Sequence, residues 1–253
     1  MDRSEFLYKS FSEHFACGPT PCQDGLFREV ADFLTGDDGD IMVVNGYAGT
    51  GKTTALAAVA SVLSKYEIPT VLLAPTGRAA KVLSSYTHSP AFTIHKHIYR
   101  QRSLEGDGPG QFCLGPNRAR NTIFIVDEVS LIGIESSSQS AAFGSGNLLE
   151  DLVSFVRNGS GCKLIMSGDM AQLPPVGLEC SPALNREYMD CIGGVEFTEL
   201  SEVVRQKQES GILENATMLR EMLAENDFGA YGGGEAYDGI MLDVDGYPDI
   251  ERI

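Results

Sequence analysis

Ile41-Met42-Val43-Val44-Asn45-Gly46-Tyr47-Ala48-Gly49-Thr50-Gly51-Lys52-Thr53 is the stretch that sets the fold. Its first four residues are an unbroken apolar run, the pattern of a strand buried on both faces of a parallel sheet. The run passes straight into Gly46 to Thr53, which matches G-x-x-x-x-G-K-[ST]. Glycines let successive backbone N–H groups turn inward around phosphate oxygens, and a helix starting near Lys52 aims its partial positive end at them. A triphosphate would lie against Gly46, Gly49, Thr50, Gly51, Lys52, Thr53 and Thr54, with Lys52 reaching the outer phosphates. The Thr53 hydroxyl suits Mg²⁺, a hard ion that prefers oxygen ligands. The plain alternative is a glycine turn that only links strand to helix; the full motif, set between an apolar strand and an amphipathic helix, argues against it.

The same alternation of elements continues outward. Residues 22 to 35 carry Leu26, Val30, Phe33 and Leu34 at helical spacing before the turn Gly36-Asp37-Asp38-Gly39. Lys52 to Tyr66 returns to helical period through Leu56, Val59, Ala60 and Leu63. Val71 to Ala74, Ile123 to Val126 and Leu164 to Met166 are further buried-strand candidates. The expected fold class is therefore α/β, a mostly parallel doubly wound sheet. Gln101 to Asn121 and Glu135 to Asn147, rich in Gly, Pro or Ser, read as surface excursions, and Asn226 to Ile253 as an acidic, Gly-rich loose end.

Composition narrows the class. With 253 residues, 43% of them hydrophobic, the chain can fill a core and is not a disordered protein. The longest apolar run, Ala55 to Ala60, is far short of the roughly 18 residues needed to cross a bilayer, and the N-terminus is unlike a signal peptide. A soluble, cytoplasmic chain with no membrane partner is expected. Six cysteines without C-x-x-C spacing read as free thiols. His95 and His97 diverge on a helix, and Asp243-Val244-Asp245-Gly246 lacks the remaining ligands of a calcium loop, so no metal is assigned to either. The net charge of −16 argues against a nucleic-acid partner on average. Val71 to Arg120 reverses it, with seven basic residues against two acidic, a local +5, whereas Glu221 to Ile253 carries −8.

Two further blocks sit at strand ends. Asp127-Glu128 closes the run Ile123 to Val126 and so emerges at the carboxyl edge of the sheet, where ligands of open α/β folds bind. Asp127 would hold Mg²⁺ and Glu128 would polarise a water for attack on a γ-phosphate. Leu164 to Met166 likewise leads into Gly168-Asp169 and Gln172-Leu173-Pro174-Pro175. Gln172 is either a turn residue before prolines or an amide that senses the γ-phosphate.

These blocks, in this order, resemble the first motor domain of superfamily 1B DNA helicases of the RecD-like group. Gly46 to Thr53 is similar to motif I, Ala74-Pro75-Thr76-Gly77-Arg78-Ala79-Ala80 to motif Ia and Thr93-Ile94-His95-Lys96 to the block after it. Asp127-Glu128-Val129-Ser130 looks like motif II, Gly168 to Val176 motif III, Leu200 to Gln206 motif IV and Thr20-Pro21-Cys22-Gln23 the adenine-reading Q motif. The resemblance implies a RecA-like P-loop NTPase fold that binds ATP and Mg²⁺ and moves single-stranded DNA 5′ to 3′. It implies that Glu128, Gln172 and Arg205 serve catalysis, that Gln23 reads adenine, and that Pro75, Thr76, Arg78, His95 and Lys96 line the DNA track. The corresponding division is an N-terminal helical segment with the Q motif (1–36), a motor domain (37–225) and the acidic segment (226–253). Within the motor domain, 101–121 falls where relatives insert a strand-splitting pin, a surface loop being the alternative. Only 47 residues follow Gln206, fewer than the roughly 100 of a second motor domain. That domain is expected beyond Ile253, with weak activity for this piece alone. A P-loop phosphotransferase and a non-hydrolysing nucleotide-binding module stay open as alternatives; a GTP switch does not, because no N-K-x-D motif occurs.

Overall fold

The buried apolar runs become neighbouring strands of one six-stranded, all-parallel sheet. The computed structural model describes residues 2–15, 18–101, 112–133, 144–202 and 204, which belong to one compact unit, Met1–Val204. In chain order its first elements are α1 (Arg3–His14), α2 (Pro21–Thr35), β1 (Ile41–Gly46), α3 (Lys52–Lys65), β2 (Thr70–Ala74) and α4 (Gly77–Thr87). Then come β3 (Ala91–Thr93), α5 (Ile94–Ile98), β4 (Tyr99–Gln101), β5 (Phe112–Leu114) and β6 (Ile123–Val126). The last are α6 (Leu148–Arg157), β7 (Lys163–Gly168), α7 (Arg186–Ile192) and β8 (Val195–Leu200). The main sheet has the order β3-β2-β6-β7-β1-β8, with every pair parallel.

Helices cover both faces, as an all-parallel sheet requires. Along β6, Ile123 and Ile125 face the cluster built by α1 to α3, with Phe27, Leu56 and Leu63 at its centre. Phe124 and Val126 point the other way, to Leu152 and Phe155 of α6. All four strands expected from the sequence lie in this sheet. The two edge strands were not legible. β3 has three residues with Phe92 exposed between two partly buried neighbours, and β8 mixes apolar and acidic residues at the opposite edge.

The excursion anticipated over 101–121 is partly regular: β4 pairs antiparallel with β5, Gly115 N–H returns to Ile98 O, and 102–111 lies outside the described residues. Backbone bonding overrides the local turn signals, because edge groups of a short hairpin satisfy each other. The second excursion is tied to the first, Gly144 N–H donating to Phe112 O and Ser145 N–H to Asp151, whose carboxylate also accepts from Tyr99. At the other end of the sheet Lys163 donates to the carbonyls of Phe33, Gly36 and Gly39, which holds the end of α2 to β7.

α5 is clamped on its face of the sheet by His97, whose ring meets Phe92, Phe124 and Phe155. Burial, and then the charge of Arg100, lower the His97 pKa below 6.5. Above about pH 6.5 both folded and unfolded states hold a neutral imidazole; as pH falls through that value the unfolded chain takes up the proton first, so stability declines. Urea midpoints measured between about pH 7 and pH 5 are expected to fall more steeply for the native protein than for His97→Gln. Parallel curves would remove His97 as the acid-sensitive group.

Candidate nucleotide site

β1 delivers the glycine loop to the carboxyl edge, and α3 leaves it at Lys52. Six of the seven α-helices among the described residues start on a side chain that accepts a backbone N–H: Asp2, Thr20, Thr76, Thr93, Asn147 and Asn185. α3 instead starts at Gly51 with φ +82° and no side-chain cap, and the partial positive end of a helix favours an anion there. A Cβ on Gly51 would come within 2.5 Å of Gln23 Nε2, and one on Gly46 within 2.8 Å of Leu200 O; both positions require glycine. Inside the loop the Lys52 ammonium donates to the carbonyls of Gly46 and Tyr47. Thr50 is fully buried with its hydroxyl on Tyr47 O, and Thr54 is exposed on the first turn of α3.

Gln23 is buried beneath the loop: its Nε2 donates to Thr50 O at 3.0 Å and its Oε1 accepts from Thr20 N–H at 3.1 Å. The amide expected to read adenine is thus engaged at both ends, as a capping box of α2 and a brace of the loop. From the other side Val204 N–H donates to Gly49 O. Arg205 lies outside the described residues.

Opposite the loop, Thr53 Oγ1 donates to Asp127 Oδ2 at 2.7 Å, and Asp127 is 4% exposed. Glu128 has φ +61°, a left-handed backbone that costs about 1–2 kcal/mol outside glycine. This bend ends β6 at once and starts the short 3₁₀ turn Val129–Leu131, which takes the half-buried Glu128 off the strand line that Asp127 continues. Buried Ser130 donates to Gln172 Oε1 at 2.7 Å, which leaves the Gln172 NH₂ as a donor. Ser181 donates to the carbonyls of Val129 and Ile132, and Asn45 Oδ1 accepts from Met170 N–H. Sequence reading missed Ser130, Asn45 and Ser181 as ties between the blocks, because a buried hydroxyl or amide has no periodic signature.

The residues assigned to a DNA track divide between α4 and α5, which leave the carboxyl ends of β2 and β3. Pro75 is half-buried, Arg78 and Lys96 are exposed, Thr76 caps α4, and His95 packs its ring near Tyr99. The local +5 does not form one surface. Arg100 donates to three carbonyls at the end of α5, and Arg118 and Arg120 precede β6 at the amino edge. A window of sequence counts charge without regard to which edge a loop occupies.

A parallel sheet whose edge combines a glycine loop, an uncapped helix and a threonine–aspartate pair defines the P-loop nucleotide-binding class. A family model described as an AAA domain matches residues 28–234, and the chain belongs to that family, in its RecD-like, superfamily 1B branch. The ATP-dependent RecD2 DNA helicase of Deinococcus radiodurans is 34% identical over 162 residues, 62% of this chain and 19% of that protein. The multifunctional conjugation protein TraI of Escherichia coli K12 is 28% identical over 228 residues, 79% of this chain and 12% of that protein. An ATP-dependent DNA helicase Pif1 from a Psychrobacter species is 25% identical over 229 residues, 82% of this chain and 32% of that protein. The chain thus spans at most 32% of the length of these curated relatives.

Gly51→Ala combines left-handed strain with the displacement of Gln23, and is expected to cost about 1–3 kcal/mol. Gly177→Ala, where φ is +83° but nothing lies within 4 Å, isolates the backbone part. Equal urea-unfolding losses for the two variants would show that Gln23 does not brace the loop.

Proposed function

We propose that this chain is the ATP-binding motor domain of a DNA helicase, with 5′ to 3′ polarity following the RecD-like resemblance. The observation that carries the reading is the bond from Thr53 to Asp127 at the foot of a helix with no cap of its own. The donor set fits a magnesium triphosphate: amides and an ammonium for phosphate, a hydroxyl and a carboxylate for the ion. Gly46, Gly49, Thr50, Gly51 and Thr54 would surround the phosphates, with Lys52 moving from the loop carbonyls to the outer oxygens. Thr53 and Asp127 would hold Mg²⁺, which when bound neutralises charge on the β- and γ-phosphates.

Glu128 would accept a proton from water as its oxygen bonds to the γ-phosphorus and the bond to the ADP oxygen breaks. Arg205 would meet the charge developing on the γ-phosphate. Gln23 would release one of its two bonds to face an adenine edge, or serve from where it stands as the loop's brace. Gln172, fixed by Ser130, would report the state of the γ-phosphate to the loop that carries it. Single-stranded DNA would pass Pro75, Thr76, Arg78, His95 and Lys96 at the carboxyl ends of β2 and β3, and a second motor domain would complete the helicase.

Glu128→Gln is expected to keep the affinity for a fluorescent ATP analogue and to lose DNA-stimulated turnover about 10²- to 10⁴-fold. Normal turnover in that variant would remove Glu128 as the base, transfer to a small acceptor would favour a phosphotransferase, and binding without turnover in the native protein a binding module. Arg78→Ala with Lys96→Ala is expected to flatten the salt dependence of single-strand binding, by about 0.7 in log–log slope for each phosphate that is no longer neutralised. An unchanged slope would place the track elsewhere.

A further inference from the structure

Ser167 Oγ is the buried side-chain polar atom that has no hydrogen-bond partner among the described residues, and the residue is 0% exposed. A hydroxyl in that condition is costly, whereas an alanine would bury no polar atom, so its presence calls for a partner outside the folded chain's own bonds. Its position says where that partner comes from. Ile165 faces the α1–α3 side of the sheet and Met166 the other; Ser167, two residues after Ile165, returns to the α3 side. Its neighbour on β1 is Val44, two residues before the glycine loop. On β6, Ile125 stands opposite Ile165 and Val126 opposite Met166, and one more step sets Asp127 beside Ser167. Adjacent strands are about 4.8 Å apart. Asp127 points to the same face, since it is bonded to Thr53 of α3. Ser167 is therefore flanked by the strand that delivers the phosphate loop and the strand that delivers the acidic ligand.

We propose that Ser167 is a positioning residue for the magnesium ion, its hydroxyl holding a water of the ion's coordination shell beside Asp127. The inference rests on the magnesium nucleotide reading above and adds to it a polar group that no motif block assigned. Thr53 and Asp127 already satisfy one another in the folded chain, so they mark the site; Ser167 completes its bonding only when the ion brings its water. The hydroxyl thus favours the loaded state over the empty one, and its contribution is specific to the metal rather than to the phosphates.

The test is titration of the native protein and Ser167→Ala with a fluorescent ATP analogue, in Mg²⁺ and in EDTA, together with thermal unfolding without nucleotide. The expected result is an unchanged affinity in EDTA, a loss of about tenfold in the gain that Mg²⁺ confers, as for a bond to a charged centre, and an unfolding temperature higher by about 2–4 °C without ligand. An equal Mg²⁺ gain in both proteins would overturn the inference. So would a lower unfolding temperature of the ligand-free variant, which would mean that the hydroxyl is bonded to structural water in the fold itself. If the native protein binds no nucleotide in either condition, the phosphate-site reading itself fails; if it binds with no Mg²⁺ gain, only the ion's role and this inference fail.

Discussion

The hydrogen bond between Thr53 and Asp127 is the constraint on which the rest of the arrangement turns. Its two ends belong to elements that are not adjacent: α3 follows β1, Asp127 follows β6, and β7 lies between those strands. α3 must therefore cross the end of β7 to reach its partner. This places the carboxyl ends of β1, β7 and β6 under the first turn of one helix, with Ser167 below it. A sheet with another strand order would leave the glycine loop intact and its acidic counterpart out of reach.

Bonds between loops convert that cluster into a single piece. Ser130 holds Gln172, Asn45 holds the backbone of Met170, and Ser181 holds the turn after Glu128. A Cβ on Gly133 would come within 2.9 Å of Pro175, so the turn after β6 and the double proline after β7 are in close contact. The turn after Glu128 is thereby in direct contact with the segment that holds the exposed Leu173 and Val176.

Much of this was legible because parallel strands announce themselves as apolar runs and phosphate loops as glycine spacing. Ile41 to Val44, Val71 to Ala74, Ile123 to Val126 and Leu164 to Met166 are central strands, buried on both faces, and their ends carry the expected side chains. What escaped reading lies at edges or depends on tertiary partners. β3 and β8 mix polar with apolar residues because one side of each is unpaired. The hairpin of β4 and β5 forms inside a stretch dominated by turn residues, since pairing satisfies its backbone. The charge excess from Val71 to Arg120 looked like one surface and is divided between opposite edges. The double engagement of Gln23 could not be inferred from Thr20-Pro21-Cys22-Gln23 alone, because Thr50 is remote in sequence.

The start of α3 without a side-chain cap has a consequence for the protein as a solute-dependent object. Six α-helices carry a side-chain cap of their own, whereas this one has none; in the proposed reading a bound phosphate would complete it. A ligand that binds only the folded state adds RT ln(1 + [L]/Kd) to stability, about 2.7 kcal/mol at a hundredfold excess over Kd. In the proposed reading, the nucleotide pool of the cell would set not only how fast this domain works but also what fraction of its copies survives heat and proteolysis.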